Sequence, residues 1–381
     1  MLINELPDDC LLNIFDYIQD LEDLINCFKV CEKWSTLIVD RTKNVKYFIE
    51  QPNYSPDSVC YQSDEPFDVT FLCKWFPNLR IVDFCTCNGI MSTADTAKLI
   101  RDSESLKGTI VDDFFFWVYT AELERIMMNA NLEMLSTEHL YFDRSEINEN
   151  VKQLYLPNRI FLPKDVAHIF PNLERLHIRC LASSGDDYSN GPVMANLKII
   201  ELRLSSNDWE DSCRIFEVMD SCPVLQSAHV IHSNDDFKID DSIQNANLQD
   251  LVIQFYEPIK WNNLPRCISK YPNLKHLSLR NFSLKDEDIK QLILILPKLT
   301  LLDIRESFGV TQEAADHVQD YCKRYGRSIK FYFKKDDKQI EVDWPQILNR
   351  PEKICRGFDF MEHCFFKHFN QLPHFLDPIY D

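Results

Sequence analysis

One phrase keeps returning along this chain: a Leu, two residues, an apolar residue, one residue, and a second apolar residue, usually headed by Pro-Asn or Ala-Asn. It reads PNLRIVDF from Pro77, PNLERLHI from Pro171, ANLKIIEL from Ala195, PVLQSAHV from Pro223, ANLQDLVI from Ala246, PNLKHLSL from Pro272 and PKLTLLDI from Pro297. Weaker copies begin at Leu106, Leu132 and Val151, so the first apolar anchors stand at 79, 106, 132, 151, 173, 197, 225, 248, 274 and 299. Steps of 19 to 28 residues are too short for each copy to enclose a core alone, so the copies must stack side by side and share one. In each copy the alternation predicts a short strand that buries every second residue and shows the others on the concave side of a curved stack. AELERIMMNA, KDVAHIF, EDSCRIFEVM and LKDEDIKQLILIL have helical periodicity and supply the returns, DEDIKQL with an acidic, cap-like start. The prolines sit where a return helix must stop and a strand begin. QEAADHVQDYCKRY and RSIKFYF add an eleventh unit to the ten.

The first forty residues follow a different pattern, three short helices in close succession. Pro7 opens the first, Asp8 or Asp9 is placed to cap it, and Leu11, Ile14, Phe15 and Ile18 fall on one face. Asp20 is placed to cap a second helix carrying Leu21, Leu24, Ile25 and Phe28, and Cys31 to Ile38 forms a third around Trp34, Leu37 and Ile38. A unit of about 40 residues buries too little apolar surface to be stable alone. Leu6, Pro7, Leu12, Val30, Cys31 and Trp34 lie off the inward stripe or at helix junctions, which makes them candidates for an exposed apolar patch.

The run LPDDCLLNIFDYIQDLEDLINCFKVCEKW, Leu6 to Trp34, resembles an F-box without a gap: Leu-Pro followed by acids, Ile-Phe, a Leu-x-x-Leu pair and a closing Val-Cys-x-x-Trp. Cys10 stands where that family more often has an aliphatic residue. With the repeats, the resemblance extends over about residues 2 to 335 to the F-box/leucine-rich-repeat class of substrate receptors. It implies an α/β fold in which a three-helix F-box precedes a curved leucine-rich-repeat solenoid of parallel strands and outer helices. By position, Leu6, Pro7, Leu11, Ile14, Phe15, Leu24, Val30, Cys31 and Trp34 match the family's adaptor-facing and supporting residues. The resemblance further implies docking on a Skp-type adaptor, through it on a cullin scaffold, and a non-catalytic, substrate-recognising role in a ubiquitin ligase. A non-degradative leucine-rich-repeat scaffold is the alternative.

The organisation expected is an F-box at 1–43, a connecting loop at 44–68 marked by QPNYSPDSVCYQSDEPFD, repeats at 69–335 and a C-terminal cap or tail at 336–381. Forty-one Lys and Arg against sixty Asp and Glu leave a net charge of −19, which disfavours nucleic acid and anionic membranes as partners. The seven glycines form neither G-x-G nor G-x-x-x-x-G, so phosphate-cradling loops are excluded, and no apolar run approaches membrane-spanning length. The fourteen cysteines are scattered through a chain opening MLINELPDDC, read as reduced thiols of cytoplasm, nucleus or both. No catalytic motif and no cofactor site emerge. Cys355, His363, Cys364, His368 and His374 come nearest to a metal cluster, at spacings that match no structural zinc pattern.

On the concave side the strands present Arg175, His177 and Arg179, then Arg203, then His229, and further along His276, Arg280 and Arg305. Neighbouring strands lie about 4.8 Å apart, so these residues form either basic islands for an acidic or phosphorylated peptide or a ladder neutralised by Glu201, Asp250 and Asp303. Ile81, Met134, Tyr155, Ile199 and Ile231 offer apolar anchors on the same side. The last 37 residues concentrate Phe358, Phe360, Phe365, Phe366, Phe369 and Phe375, with Phe358, Met361, Phe365 and Phe369 on one helical face. They either close the end of the stack or fold over its concave side.

Overall fold

A computed structural model describes residues 3–62, 70–87, 93–111, 121–138, 147–157, 162–182, 188, 191–206, 215–232 and 238–378. The chain divides into two compact units, Met1–Asp143 and Arg144–Asp381.

The first unit opens with helices α1 (Asp8–Asp16), α2 (Leu21–Phe28) and α3 (Glu32–Thr42). Leu11 and Phe15, Leu21 and Leu24, and Leu37 and Ile38 bury one stripe from each helix in a shared core. Asp20 caps α2, accepting the Glu22 and Asp23 amides. Asp8 and Asp9 do not cap α1; they occupy its first turn behind Pro7, where a carboxylate still favours the helix dipole, and Asp8 pairs with Lys33 of α3 at 3.0 Å.

The loop expected over 44–68 requires correction. Strands β1 (Tyr47–Ile49) and β2 (Ser58–Cys60) lie within it, and β1 pairs in parallel with both β2 and β3 (Ile81–Asp83). Three prolines and a polar composition suggested a linker, but Val45, Tyr47, Phe48, Val59 and Cys60 are buried. Pro52 and Pro56 fall between the two strands, and the short runs on either side of them supply the strands. Gln19 locks the helices to this piece, donating to the Ser55 carbonyl and accepting the Tyr54 amide. Buried Arg41 joins them too, with its Nε 3.3 Å from Asp16 and its Nη2 donating to the Ser58 carbonyl. Helices α4 (Thr70–Trp75), α5 (Thr93–Asp102) and α6 (Ala121–Asn129) alternate with β3, β4 (Gly108–Val111) and β5 (Met134–Thr137), giving the strand order β5-β4-β3-β1-β2.

The second unit continues the repeat as β6 (Gln153–Leu156), α7 (Pro163–Ile169), β7 (Arg175–Ala182), β8 (Ile199–Ser206), α8 (Ile215–Asp220), β9 (Ser227–His232) and β10 (Asp250–Lys260). It proceeds through α9 (Leu264–Ile268), β11 (His276–Ser283), α10 (Asp286–Ile295), β12 (Leu301–Asp303), α11 (Gln312–Tyr325) and β13 (Lys330–Tyr332). The strands pair in parallel in chain order from β6 to β13. This is the leucine-rich-repeat arrangement, one strand and one return per period.

All ten anchors are buried, and a strand starts two residues after each of them. The asparagine heading several phrases ties one turn to the turn before it. Asn172 donates to the Glu149 carbonyl, Asn247 to Pro223 and Asn273 to Ala246, at 2.7–2.9 Å. A polar residue at the head of an apolar phrase is thereby explained, because at this exposed edge it bonds the carbonyl of the preceding turn. Beyond β13 come α12 (Gln339–Asp343), β14 (Ile354–Arg356), α13 (Phe360–His363) and β15 (Phe375–Asp377), the last two strands pairing in parallel as a separate ribbon.

Candidate functional site

Two groups of side chains have the character of interaction surfaces. On α1 to α3, the residues matched to the F-box separate by burial. Leu11, Phe15 and Leu24 are fully enclosed and build the bundle, with the Trp34 ring packed edge-on against Phe15 at 5.0 Å. Pro7 is exposed, Ile14 is 41% and Val30 55% exposed, and Leu6, Cys31 and Trp34 are half-buried. Lys33 donates to the Leu6 carbonyl, which fixes the segment before α1 against α3. Apolar side chains at the junctions of a small bundle thus remain open to water, a costly arrangement unless another chain covers them.

The second group is the concave-side face of the β6 to β13 strands, whose register sets out three rows. Gln153, Arg175, Ile199, Ser227, Asp250, His276, Leu301 and Lys330 lie side by side in the first, and Tyr155, His177, Glu201, His229, Val252, Ser278, Asp303 and Tyr332 in the second. Arg179, Arg203, Ile231, Gln254 and Arg280 follow in the third. The candidate substrate-binding cations are therefore neighbours, as their spacing predicted, but they are not an open surface. The C-terminal residues fold across them. Ile199, Ile231, Val252, Leu301 and Tyr332 share one apolar core with Ile340, Cys355, Phe360, Cys364, Phe365, Phe369, Leu372 and Leu376.

The cations fasten this cover. Arg175 is 1% exposed; its Nη2 and Nη1 donate to the Pro373 and His374 carbonyls at 2.6 and 2.9 Å, while Glu201 accepts from the same guanidinium at 2.8 Å. Arg280, equally buried, donates to the Phe365 and Lys367 carbonyls. Gln153 donates to the Leu376 carbonyl and accepts its amide. Arg203 donates to Asn370 and to the Tyr256 hydroxyl, His276 pairs with Asp250 at 2.6 Å, and Arg305 makes a two-toothed bond to Asp303. Of the two alternatives for these rows, accessible basic islands or a neutralised ladder, the bonds are those of a ladder. The neutralising carboxylates Glu201, Asp250 and Asp303 hold one side of the rows, and main-chain carbonyls of the C-terminal residues hold the other.

Electrostatics in the covered rows follow from burial. Burial works against the Glu201 carboxylate, but Arg175 and His177 outweigh it and hold its carboxyl below the usual range. Burial lowers His177 in spite of Glu201. It lowers His229 well below an ordinary imidazole, with Arg280, His177 and His368 adding to the effect, and neither His229 ring nitrogen has a hydrogen-bond partner among the described residues. Aromatic stacking completes the layer: Tyr155 lies between His177 and His374, each at 4.0 Å, and Phe369 faces both His177 and His229.

Sequence reasoning placed the aromatic C-terminal residues and the basic strands separately, and the main-chain carbonyls that join them left no mark in composition. Gln153, which holds Leu376 by two bonds, went unnoticed for the same reason. The anchor role considered for Tyr155, Ile199 and Ile231 is taken by this chain's own residues. Of the five residues nearest to a metal cluster, Cys355 and Cys364 belong to the apolar core and His363 meets the Arg356 carbonyl at 2.8 Å. Among the described residues no group of three or more His, Cys, Asp or Glu could hold a metal, and the described cysteines are free thiols.

Residues 3–43 match the F-box-like family. No curated protein matches the chain. Among solved structures, the TLR13–ssRNA13 complex is similar with a TM-score of 0.42 and 12% identity over 76% of this chain, which spans only 36% of that one. The Rad7 and Elc1 complex of yeast gives a TM-score of 0.36 and 15% identity over 87% of this chain and 94% of that one. The octameric complex of latrophilin 3, Unc5D and FLRT2 gives 0.30 and 12% over 69% and 86%.

Proposed function

We propose that this chain is the substrate-recognition subunit of a Skp–cullin–F-box ubiquitin ligase, with the F-box-like residues 3–43 docking a Skp-type adaptor and the repeat units holding a target protein. The observation that carries the reading is the pairing of an F-box-like match with a bundle whose outward residues Pro7, Ile14 and Val30 are apolar and uncovered. The cullin is reached through the adaptor, and ubiquitin transfer belongs to other subunits. The chain contributes by raising the effective concentration of its target near a charged conjugating enzyme. Such a subunit works in the cytoplasm, the nucleus or both.

The test is co-expression with a Skp-type adaptor, comparing the native chain with an Ile14→Asp, Val30→Asp variant. Both positions are exposed, so the variant stays folded. A stoichiometric complex that the variant loses, together with cullin co-purification, is the expected result. Failure of the native chain to bind any Skp-type adaptor overturns the reading, and adaptor binding without cullin or partner ubiquitylation turns it into that of a non-degradative scaffold.

A further inference from the structure

Of the eighteen prolines in the chain, Pro56 alone follows a Ser or Thr. A proline has no amide hydrogen, so it fits a kinase subsite in which any other residue would bury an unpaired N–H, and the hydroxyl before it is the one presented for phosphoryl transfer. The Ser55–Pro56 pair lies in the turn between β1 and β2, next to Tyr54, which is 72% exposed and has a left-handed φ of 59°. Pro56 is exposed and Ser55 half-buried. Apart from the contacts with Gln19, the bonds around Ser55 are local. Its amide donates to the Asn53 side chain, its carbonyl accepts the Ser58 amide, and its Oγ donates to Asp57. A turn held in this way opens locally at small cost, which lets an enzyme draw the hydroxyl out.

We propose that Ser55 is a phosphoacceptor for proline-directed kinases, and that its phosphate releases the N-terminal helices from β1 and β2. In the transfer a bond forms between Ser55 Oγ and the γ-phosphorus of ATP as the bond from that phosphorus to its bridging oxygen breaks; ADP leaves and the hydroxyl proton passes to the kinase. The same turn is where the helices are fastened. The Ser55 carbonyl accepts from Gln19 Nε2, and the Tyr54 amide donates to Gln19 Oε1 at 2.7 Å. Ser55 Oγ lies 2.6 Å from the Asp57 carboxylate. A phosphate brings about −1.5 to −2 charges, so the bond to Asp57 becomes a repulsion. Arg41, the buried cation of this corner, cannot offset it. Its Nε lies 3.3 Å from Asp16, its Nη2 donates to the Ser58 carbonyl, the Asp57 charge already acts on it, and it has no exposed surface from which to follow a phosphate into water. Ser55 therefore swings away from Asp57, and its carbonyl and the Tyr54 amide leave Gln19 with it.

The test incubates the full-length protein with ATP and a cyclin-dependent or mitogen-activated protein kinase, maps the modified residue by mass spectrometry, and follows amide hydrogen exchange with and without the phosphate. Phosphate is expected on Ser55 and is absent from that position in a Ser55→Ala variant, which loses only the bond to Asp57. Exchange of the Tyr54 amide should quicken about tenfold or more in the phosphorylated chain, with exchange in α1 to α3 rising alongside. A folded Gln19→Ala variant, whose Tyr54 amide has lost its acceptor beforehand, should show no such further step at that amide. Absence of phosphate at Ser55, unchanged exchange of the Tyr54 amide in the phosphorylated chain, or an equal further step in Gln19→Ala each overturn the proposal. Capture of a Skp-type adaptor by the unmodified chain is a separate readout, so the ligase role and this site stand or fall independently.

Discussion

Ile14 and Val30 on the N-terminal helices, and Ile199, Ile231, Val252 and Leu301 on the repeat strands, are apolar side chains that their own local elements leave uncovered. The first pair remains open to water, whereas the second set is sealed by Phe360, Phe365, Phe369, Leu372 and Leu376 of the same chain. The difference shows in the polar atoms alongside. Around the strands, guanidiniums and a carboxamide reach into main-chain groups of the covering residues at 2.6–3.0 Å. Beside Ile14 and Val30 no such fastening exists among the described residues, which suits a surface whose cover is supplied by another molecule and can leave again. An open apolar face points to a partner, while a closed one points to stability.

The largest effect that would sharpen this contrast is removal of residues 345–378. Losing the cover should cost about 5 kcal/mol or more, the scale of a whole folding free energy, and deliver aggregating or dye-binding protein in thermal and ANS assays. A deletion that stays monomeric with an unchanged melting temperature would make the segment a removable lid instead. Next comes Arg175→Met, which leaves the Glu201 carboxylate buried without its strongest partner. A loss of about 3–5 kcal/mol is expected by urea denaturation.

A smaller effect follows from pH. His177 and His229 titrate below 6.5 in the folded protein, whereas the unfolded chain takes up those protons near 6.5. Below the unfolded value the unfolded state binds more protons, so stability is complete above about pH 6.5 and falls as the pH drops below it. Glu201, with its lowered carboxyl, extends the same loss into more acidic solution. His229→Phe should flatten this slope in a pH series of melting temperatures. The smallest change in stability, within about 0.5 kcal/mol, is predicted for Ile14→Asp with Val30→Asp, the pair expected to abolish adaptor binding.

The parts of this molecule legible from sequence are those written in local periodicity. A Leu-x-x-apolar-x-apolar phrase fixes strand start and burial within six residues, so each strand begins two places after its anchor from Leu79 to Leu299. Likewise, helical spacing puts Leu11 and Phe15 on the buried face of α1, but it places Ile14 there as well, and Ile14 is 41% exposed. β1 and β2 were hidden because they are three residues each, separated by Pro52 and Pro56, and their stability comes from pairing with each other, from the pairing of β1 with β3, and from Gln19 and Arg41. The covered strand face was hidden for a stronger reason. Arg175 is bonded to carbonyls at 373 and 374, and a carbonyl is present at every residue, so nothing in the side-chain pattern announces the acceptor.

One bond carries a consequence for how the molecule comes into being. Gln153 closes on Leu376 across 223 residues, a separation far beyond that of the neighbouring strands, which meet at about one repeat apart. During synthesis the stack can therefore grow unit by unit, while the apolar and basic rows on its face stay wet until the aromatic residues emerge. A nascent chain halted before Phe360 would display Ile199, Ile231, Val252 and Leu301 together with Arg175 and Arg280 without their carbonyl partners. That is the surface on which chaperones hold unfinished proteins, and the arrival of the final aromatic residues ends that exposure.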